Sequence, residues 1–350
     1  MTRLLAAALL VASTGLSSCR APTAPPDDVG GTSTTSARAC PDHPSDVLSF
    51  FHEWTITLGD GTTVADVVGY RDDDFFLTAC DEADWVVYKV PNSGGTTRNS
   101  SNTRSELRQV AEWVPEVGGR LEGTLKVMHV STTGDARVPA SFSVVVGQIH
   151  SSEGHENEPI KIFYKKFPGH TRGSVFWNYE INTEGDNAER WDLSTAVWGH
   201  DFSVVGSSPD TYPPDPADGV ALGEEFSYTI DVSDGIMHVS FERDGYETRT
   251  FSKSLVSSDF GPGSPTPQQV LSVFASTGQD GAEQASAYAG ERQYFKQGAY
   301  NQANGKDPAD NMVWNTGSET YGGRLGEQYA RGSYAEVWFR SATVGQGGAP

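Results

Sequence analysis

From about Asp46 onward, apolar and polar residues alternate with a period of two, and the alternation is broken by clusters of Gly, Asn, Asp and Pro. Phe226, Tyr228, Ile230 and Val232 alternate with Ser227, Thr229 and Asp231; Asp234-Gly235 then offers a two-residue turn, and Met237, Val239 and Phe241 resume the pattern. This predicts an antiparallel hairpin with one buried face. Shorter runs at Trp85 to Val90, Leu121 to Val130, Ser141 to His150, Ile160 to Phe167, Gln293 to Gln302 and Tyr334 to Val344 predict further strands. Many short strands with little helical periodicity predict an all-β sandwich or jelly roll. The stretch from about Asn182 to Gly219, rich in Pro, Asp, Gly and Ser but carrying Trp191, Leu193, Val197 and Trp198, reads as a long excursion between strands.

The two ends fall outside this pattern. Arg3 followed by the apolar run Leu4 to Val11 and small residues reads as an export signal over 1–19. Leu16-Ser17-Ser18-Cys19 resembles a bacterial lipobox, in which the cysteine is lipidated; the alternative is an ordinary signal peptide with a chance cysteine. Residues 20–44 lack apolar periodicity and read as a flexible linker, 45–344 as the folded domain, and 345–350 as a frayed tail. The expected location is therefore outside a bacterial cell, lipid-anchored or otherwise secreted, with the anchor as the sole membrane contact.

Length and charge narrow the picture further. The chain has 350 residues, which a single β-domain can absorb, and a formal net charge of -21. A nucleic-acid surface normally needs excess Lys and Arg, so no nucleic-acid partner is expected. A polyanionic sugar is not excluded, since a cleft needs only a local cluster of positive groups. With Cys19 set aside, Cys40 and Cys80 remain as an even pair in an oxidising compartment, where a disulfide is expected and two buried free thiols are the alternative. The eight histidines show no metal-ligand spacing, and neither a metal nor a cofactor is expected.

Three strand-like segments each set unusual polar groups on one parity. Arg104, Glu106 and Arg108 share a face while Ser105 and Leu107 turn away. Gln148 and His150 stand two apart, with Ile149 turned to the core. Tyr294, Lys296, Tyr300 and Gln302 form a stripe around Gly298, with Phe295 and Ala299 inward. Taken singly, each set reads as a solvated strand face or as packing. His52, His129, His155, His170, His200 and His238 have no such company.

These runs, R-S-E-L-R, Q-I-H and Y-F-K-x-G-x-Y-x-Q, occur in order and resemble the signature regions of the polysaccharide lyase family 7 alginate lyases. Leu222 to Tyr228 is also similar to that family, so the resemblance covers most of 46–344. It implies a β-jelly-roll sandwich of two antiparallel sheets with a concave substrate cleft. The implied reaction is β-elimination on a 1,4-linked uronate polymer, leaving 4,5-unsaturated ends. Isoleucine in the Q-I-H run resembles members that accept guluronate-containing blocks. A monomer is expected.

The chemistry accounts for the residue types. The C5 proton of a uronate is weakly acidic while the neighbouring carboxylate is charged, so donors must neutralise that group and stabilise the enolate-like intermediate. Arg108, Gln148 and Arg104 can supply them, arginine through its planar fork. By resemblance Tyr300 is the acid for the leaving oxygen, and His150 or Tyr300 is the base according to which face of the sugar carries the proton. A tyrosine with the ordinary pKa of about 10 is a poor base at neutral pH, so nearby cations such as Lys296 must favour its phenolate. Glu106 orients an arginine. Tyr294, Lys296 and Gln302 complete the expected substrate-binding set. Two rivals remain: a non-catalytic jelly-roll module that binds acidic polysaccharide, and a two-carboxylate glycoside hydrolase, against which stands the single glutamate flanked by arginines.

Overall fold

The computed structural model describes residues 39–348 apart from 98–99, 101, 135–139, 153–157, 184–185, 202–211, 257–287 and 304–323. Cys19 and residues 1–38 thus lie outside the described residues. The chain divides into two compact units, Met1–Ala39 and Cys40–Pro350, and the fold that follows belongs to the second.

Two antiparallel sheets make up this unit. The first has the strand order β10 (Asp186–Trp198), β9 (Arg172–Thr183), β8 (Ile160–Lys165), β7 (Ser143–Ser151), β15 (Gln293–Asn301), β5 (Arg104–Gln109), β1 (Trp54–Thr57) and β2 (Thr63–Val64), with β11 (Val220–Ala221) paired to β9. The second runs β14 (Arg249–Ser254), β13 (Ile236–Glu242), β12 (Glu225–Ser233), β6 (Gly119–His129), β16 (Tyr334–Gly345), β4 (Asp84–Pro91) and β3 (Phe76–Cys80). Strands distant in sequence lie side by side, as β15 does between β5 and β7, so the site is assembled across the chain.

The alternation of apolar residues decides which faces meet. Phe226, Tyr228, Ile230 and Val232 of β12 and Met237, Val239 and Phe241 of β13 join Ile56, Leu107, Val144, Ile149, Ile162, Phe295 and Ala299 of the other sheet in one apolar core. Each such side chain contributes roughly 1.5–3 kcal/mol on burial. The β12–β13 turn is the expected one: Asp234 (φ 50°) and Gly235 (φ 76°) both take the left-handed conformation that a two-residue hairpin requires.

The expected excursion over 182–219 is corrected. Residues 186–198 form β10, which pairs with β9 as the edge of the first sheet. A register irregularity between Ala196 and Trp198 leaves both Val197 and Trp198 buried, and this breaks the alternation that marks the other strands. Residues 199–219 connect β10 to β11, and 202–211 of them lie outside the described residues. Cys40 and Cys80 form the expected disulfide, with Cα atoms 5.4 Å apart, tying the start of the domain to the end of β3.

Two glycines shape the first sheet where it matters most. Gly298 sits in a register shift between β15 and β7 with φ 144°, and a Cβ there would stand 2.5 Å from the Ser105 carbonyl oxygen. Only glycine lets β15 approach β5 so closely. Gly147 sits in a matching shift between β7 and β8, where a Cβ would stand 2.5 Å from the Tyr228 hydroxyl. That hydroxyl instead donates to the Val146 carbonyl at 3.2 Å. The shift lets Val144, Val146 and Ile149 all join the core, while Val145 packs with Phe163, Phe176 and Tyr300 in a separate cluster.

Candidate active site

The face of the nine-stranded sheet turned away from the core carries the polar stripes. Cα register aligns Arg108, Lys296, Gln148, Lys161 and Asn178 across β5, β15, β7, β8 and β9, with Tyr294 beside His150 and Tyr300 beside Arg104.

Glu106 is the centre of this arrangement. It is 1% exposed and opposite Gly298, whose missing side chain leaves the two backbones close. Three donors converge on its carboxylate: Gln148 Nε2 at 2.5 Å on Oε1, and Arg104 Nη1 at 3.1 Å and Lys296 Nζ at 2.8 Å on Oε2. One anion thus fixes three side chains from three strands. A carboxylate so buried is tolerated because every donor around it is charged or strongly polar.

Arg104 is oriented on three sides. Besides Glu106, its Nη2 donates to Ser100 Oγ at 2.6 Å, and its guanidinium carbon lies 4.0 Å from the Tyr300 ring centroid. Ser100 Oγ is also 3.4 Å from the Tyr300 hydroxyl, and Lys296 Nζ is 5.6 Å from that ring. Two cations therefore flank the tyrosine. Burial, with the Arg104 charge acting in the same direction, pushes the Lys296 ammonium down to about 8 against the pull of Glu106.

His150 is held by its neighbours on both rings and edges. Its Nδ1 is 2.6 Å from the Ser151 carbonyl, which can only accept, so Nδ1 carries the proton and Nε2 keeps a lone pair. The Tyr294 ring stacks on it at 5.2 Å and 11°. Burial pushes the imidazole down to about 4, with Lys296 and Arg104 lowering it further and Glu158 opposing them. At neutral pH the ring is held in its neutral form.

Arg108 stands apart from this cluster. It stacks on Tyr294 at 3.9 Å and donates to Glu112 at 2.8 Å and to the Gln109 carbonyl at 3.0 Å, with a third of its side chain exposed. Gln302 lies one residue past β15, buried, with its amide directed to the Asn301 carbonyl at 3.4 Å. The structure thus brings Arg104, Glu106, Gln148, Lys296 and Tyr300 together, sets His150 and Tyr294 beside them, and leaves Arg108 and Gln302 at the margins. Among the described residues, Gln148 Oε1 and Arg104 Nε are buried without a hydrogen-bond partner.

Sequence reasoning missed Ser100, Glu112, Glu158 and Lys161. Lys161 lies level with Gln148 and pairs with Glu180, with Glu158 at 3.7 Å and Asp192 at 3.6 Å. Its alternation with Ile160 and Ile162 was the available signal, since it marks Lys161 as facing the same way as Gln148.

The chain is similar to known proteins over most of its length. The alginate lyase family model matches residues 48–346. An alginate lyase of Klebsiella pneumoniae is 30% identical over 276 residues, covering 69% of this chain and 76% of the relative. The crystal structure of an exolytic polysaccharide lyase family 7 alginate lyase from Zobellia galactanivorans superposes with a TM-score of 0.80 at 62% identity, covering 89% of this chain and all of that one. The crystal structure of the alginate lyase from Klebsiella pneumoniae, at 23% identity and a TM-score of 0.61 over 88% of this chain and 99% of that one, shares the fold. With a family match over nearly the whole folded unit and a jelly roll of the same design, the chain belongs to the polysaccharide lyase family 7 alginate lyases.

Proposed function

We propose that this alginate lyase works by β-elimination with Tyr300 as the acid for the departing oxygen, Arg104, Gln148 and Lys296 as the groups that neutralise the substrate carboxylate, and His150 as a base. The observation that carries this reading is the convergence of Arg104, Gln148 and Lys296 on the buried Glu106, beside both Tyr300 and the lone pair of His150. The base takes the C5 proton, the electron pair forms the C4–C5 double bond, the C4–O bond breaks, and Tyr300 protonates the leaving oxygen. His150 serves where the C5 proton lies on its side of the ring, as expected for guluronate, and Tyr300 serves in both capacities for mannuronate. Arg108, at the margin on Tyr294, binds a neighbouring uronate.

Tyr300→Phe tests the assignment. It removes one hydroxyl and no packing volume, so the fold and substrate binding should persist while turnover falls by about 10²- to 10⁴-fold on both block types. The assay follows the ultraviolet absorbance of the unsaturated product. Near-normal turnover on both polymers would refute the mechanism.

Three finer readings accompany it. Action from chain ends is supported by the exolytic relative from Zobellia galactanivorans at 62% identity, and short unsaturated products from the first minutes of digestion, with little fall in viscosity, are expected. Acceptance of guluronate blocks rests on Ile149 in the Q-I-H run, and product profiles on defined blocks test it. Export as a lipid-anchored protein rests on Leu16 to Cys19 and the polar linker that follows.

A further inference from the structure

Glu158 lies in the short segment entering β8, outside every motif singled out in the sequence. Its Oε1 is 3.8 Å from His150 Nε2, the nitrogen left with a lone pair once Nδ1 is committed to the Ser151 carbonyl. Its Oε2 is 3.7 Å from Lys161 Nζ, and Lys161 is tied in turn to Glu180 on β9. The glutamate is thus held from behind and presents one oxygen to the imidazole, with its side chain 15% exposed.

We propose that Glu158 is a positioning residue for His150, supplying the negative charge against which Nε2 receives the sugar proton. This rests on the reading of His150 as a base. The need for it follows from what faces the ring. Tyr294 of β15 covers one face, and the charges of Lys296 on β15 and Arg104 on β5 both oppose a second positive charge. Lys161 on β8 lies beyond Glu158, paired with it and with Glu180. Among the groups that act on the imidazole, Glu158 is the carboxylate that favours its protonated form. An imidazolium formed during elimination without it would be a buried cation among cations, and the proton transfer would be uphill.

The decisive experiment compares wild type, Glu158→Gln, Glu158→Asp and His150→Asn. The His150 ring is titrated by NMR in the first three, and all four are assayed on guluronate and mannuronate blocks. Glu158→Gln should move the His150 titration to lower pH by about one unit. On guluronate it should lower kcat about tenfold, with KM unchanged or lower because a negative charge has left the path of a polyanion. The effect on mannuronate should be smaller, and Glu158→Asp should recover part of the loss. An unmoved titration, an equal fall on both polymers, or a higher KM at normal kcat would each overturn the proposal. If His150→Asn keeps full activity on guluronate, the base assignment falls and takes the catalytic role of Glu158 with it, while the titration still decides whether the two groups are coupled. If His150→Asn is inactive on guluronate and Glu158→Gln is normal, the base stands and the positioning role fails.

Discussion

Replacing Glu106 by glutamine should show how much of the site depends on one carboxylate. The side chain is 1% exposed and receives Arg104, Lys296 and Gln148, all of them buried. Glutamine keeps the shape but has one acceptor oxygen and no charge. Gln148, whose Oε1 has no hydrogen-bond partner among the described residues, can turn its amide to accept from the new NH₂ group, leaving the remaining oxygen for Arg104 and Lys296. Hydrogen bonding is therefore largely recoverable, and the loss is electrostatic: two buried cations lose their common anion. Removing one partner of a buried pair costs about 3–5 kcal/mol. Lys296 can shed its proton to relieve part of this, because burial already holds it at about 8, so about 2–4 kcal/mol is expected at neutral pH. Urea or thermal unfolding followed by fluorescence measures it, with a fall in Tm of several degrees. Glu106→Gln combined with Lys296→Met should recover at least half of the loss, since the second change removes the stranded ammonium. Unfolding of Glu106→Gln within about 0.5 kcal/mol of wild type would refute the view that Glu106 organises the site.

Other expectations follow from the same geometry. Because burial and Arg104 depress Lys296 to about 8, its charge is present below that pH and lost above it; kcat/KM on alginate should fall through about pH 8, and Lys296→Arg should move that limb upward. The Cys40–Cys80 bridge closes a 40-residue loop, so replacing both cysteines by alanine should cost roughly 2–4 kcal/mol of unfolding free energy, and an unchanged urea midpoint would show that the bridge constrains little. Cys19→Ala should release the protein from the membrane fraction, and a wild-type protein found wholly soluble with its N-terminus at another residue would exclude the anchor.

What could be read from the sequence depended on whether the signal was local. The β12–β13 hairpin was legible residue by residue, because seven core side chains keep strict alternation on either side of an Asp-Gly turn. β10 was not, because a register irregularity at an edge strand puts Val197 and Trp198 inside together. The polar stripes were legible for the same reason as the hairpin: Arg104, Glu106 and Arg108 do share a face, as do Gln148 and His150.

Parity, however, says nothing about which member of a stripe lies next to which member of another. Arg104 and Arg108 are equivalent by alternation, yet the pairing of β15 with β5 sets Tyr300 opposite Arg104 and Lys296 opposite Arg108. That register, fixed by the close approach at Gly298, puts Arg104 on Tyr300 and sends Arg108 to Tyr294 and Glu112. Glu158 was hidden for a further reason, since it precedes β8. Once Ile149 is known to pair with Ile160, counting two residues outward along both strands brings residue 158 level with Ser151, on the parity opposite to His150. A one-residue slip in that pairing would have turned the entire strand over. The contact between Glu158 and His150 therefore comes from the path of the chain just before β8 begins at Ile160, which alternation does not specify, while the β7–β8 pairing itself depends on Gly147, where a Cβ would stand 2.5 Å from the Tyr228 hydroxyl. The residues proposed for the chemistry were thus visible as motifs, while which of them meet is set by strand pairing and by the two glycines that permit it, and the placing of Glu158 by the chain that enters β8.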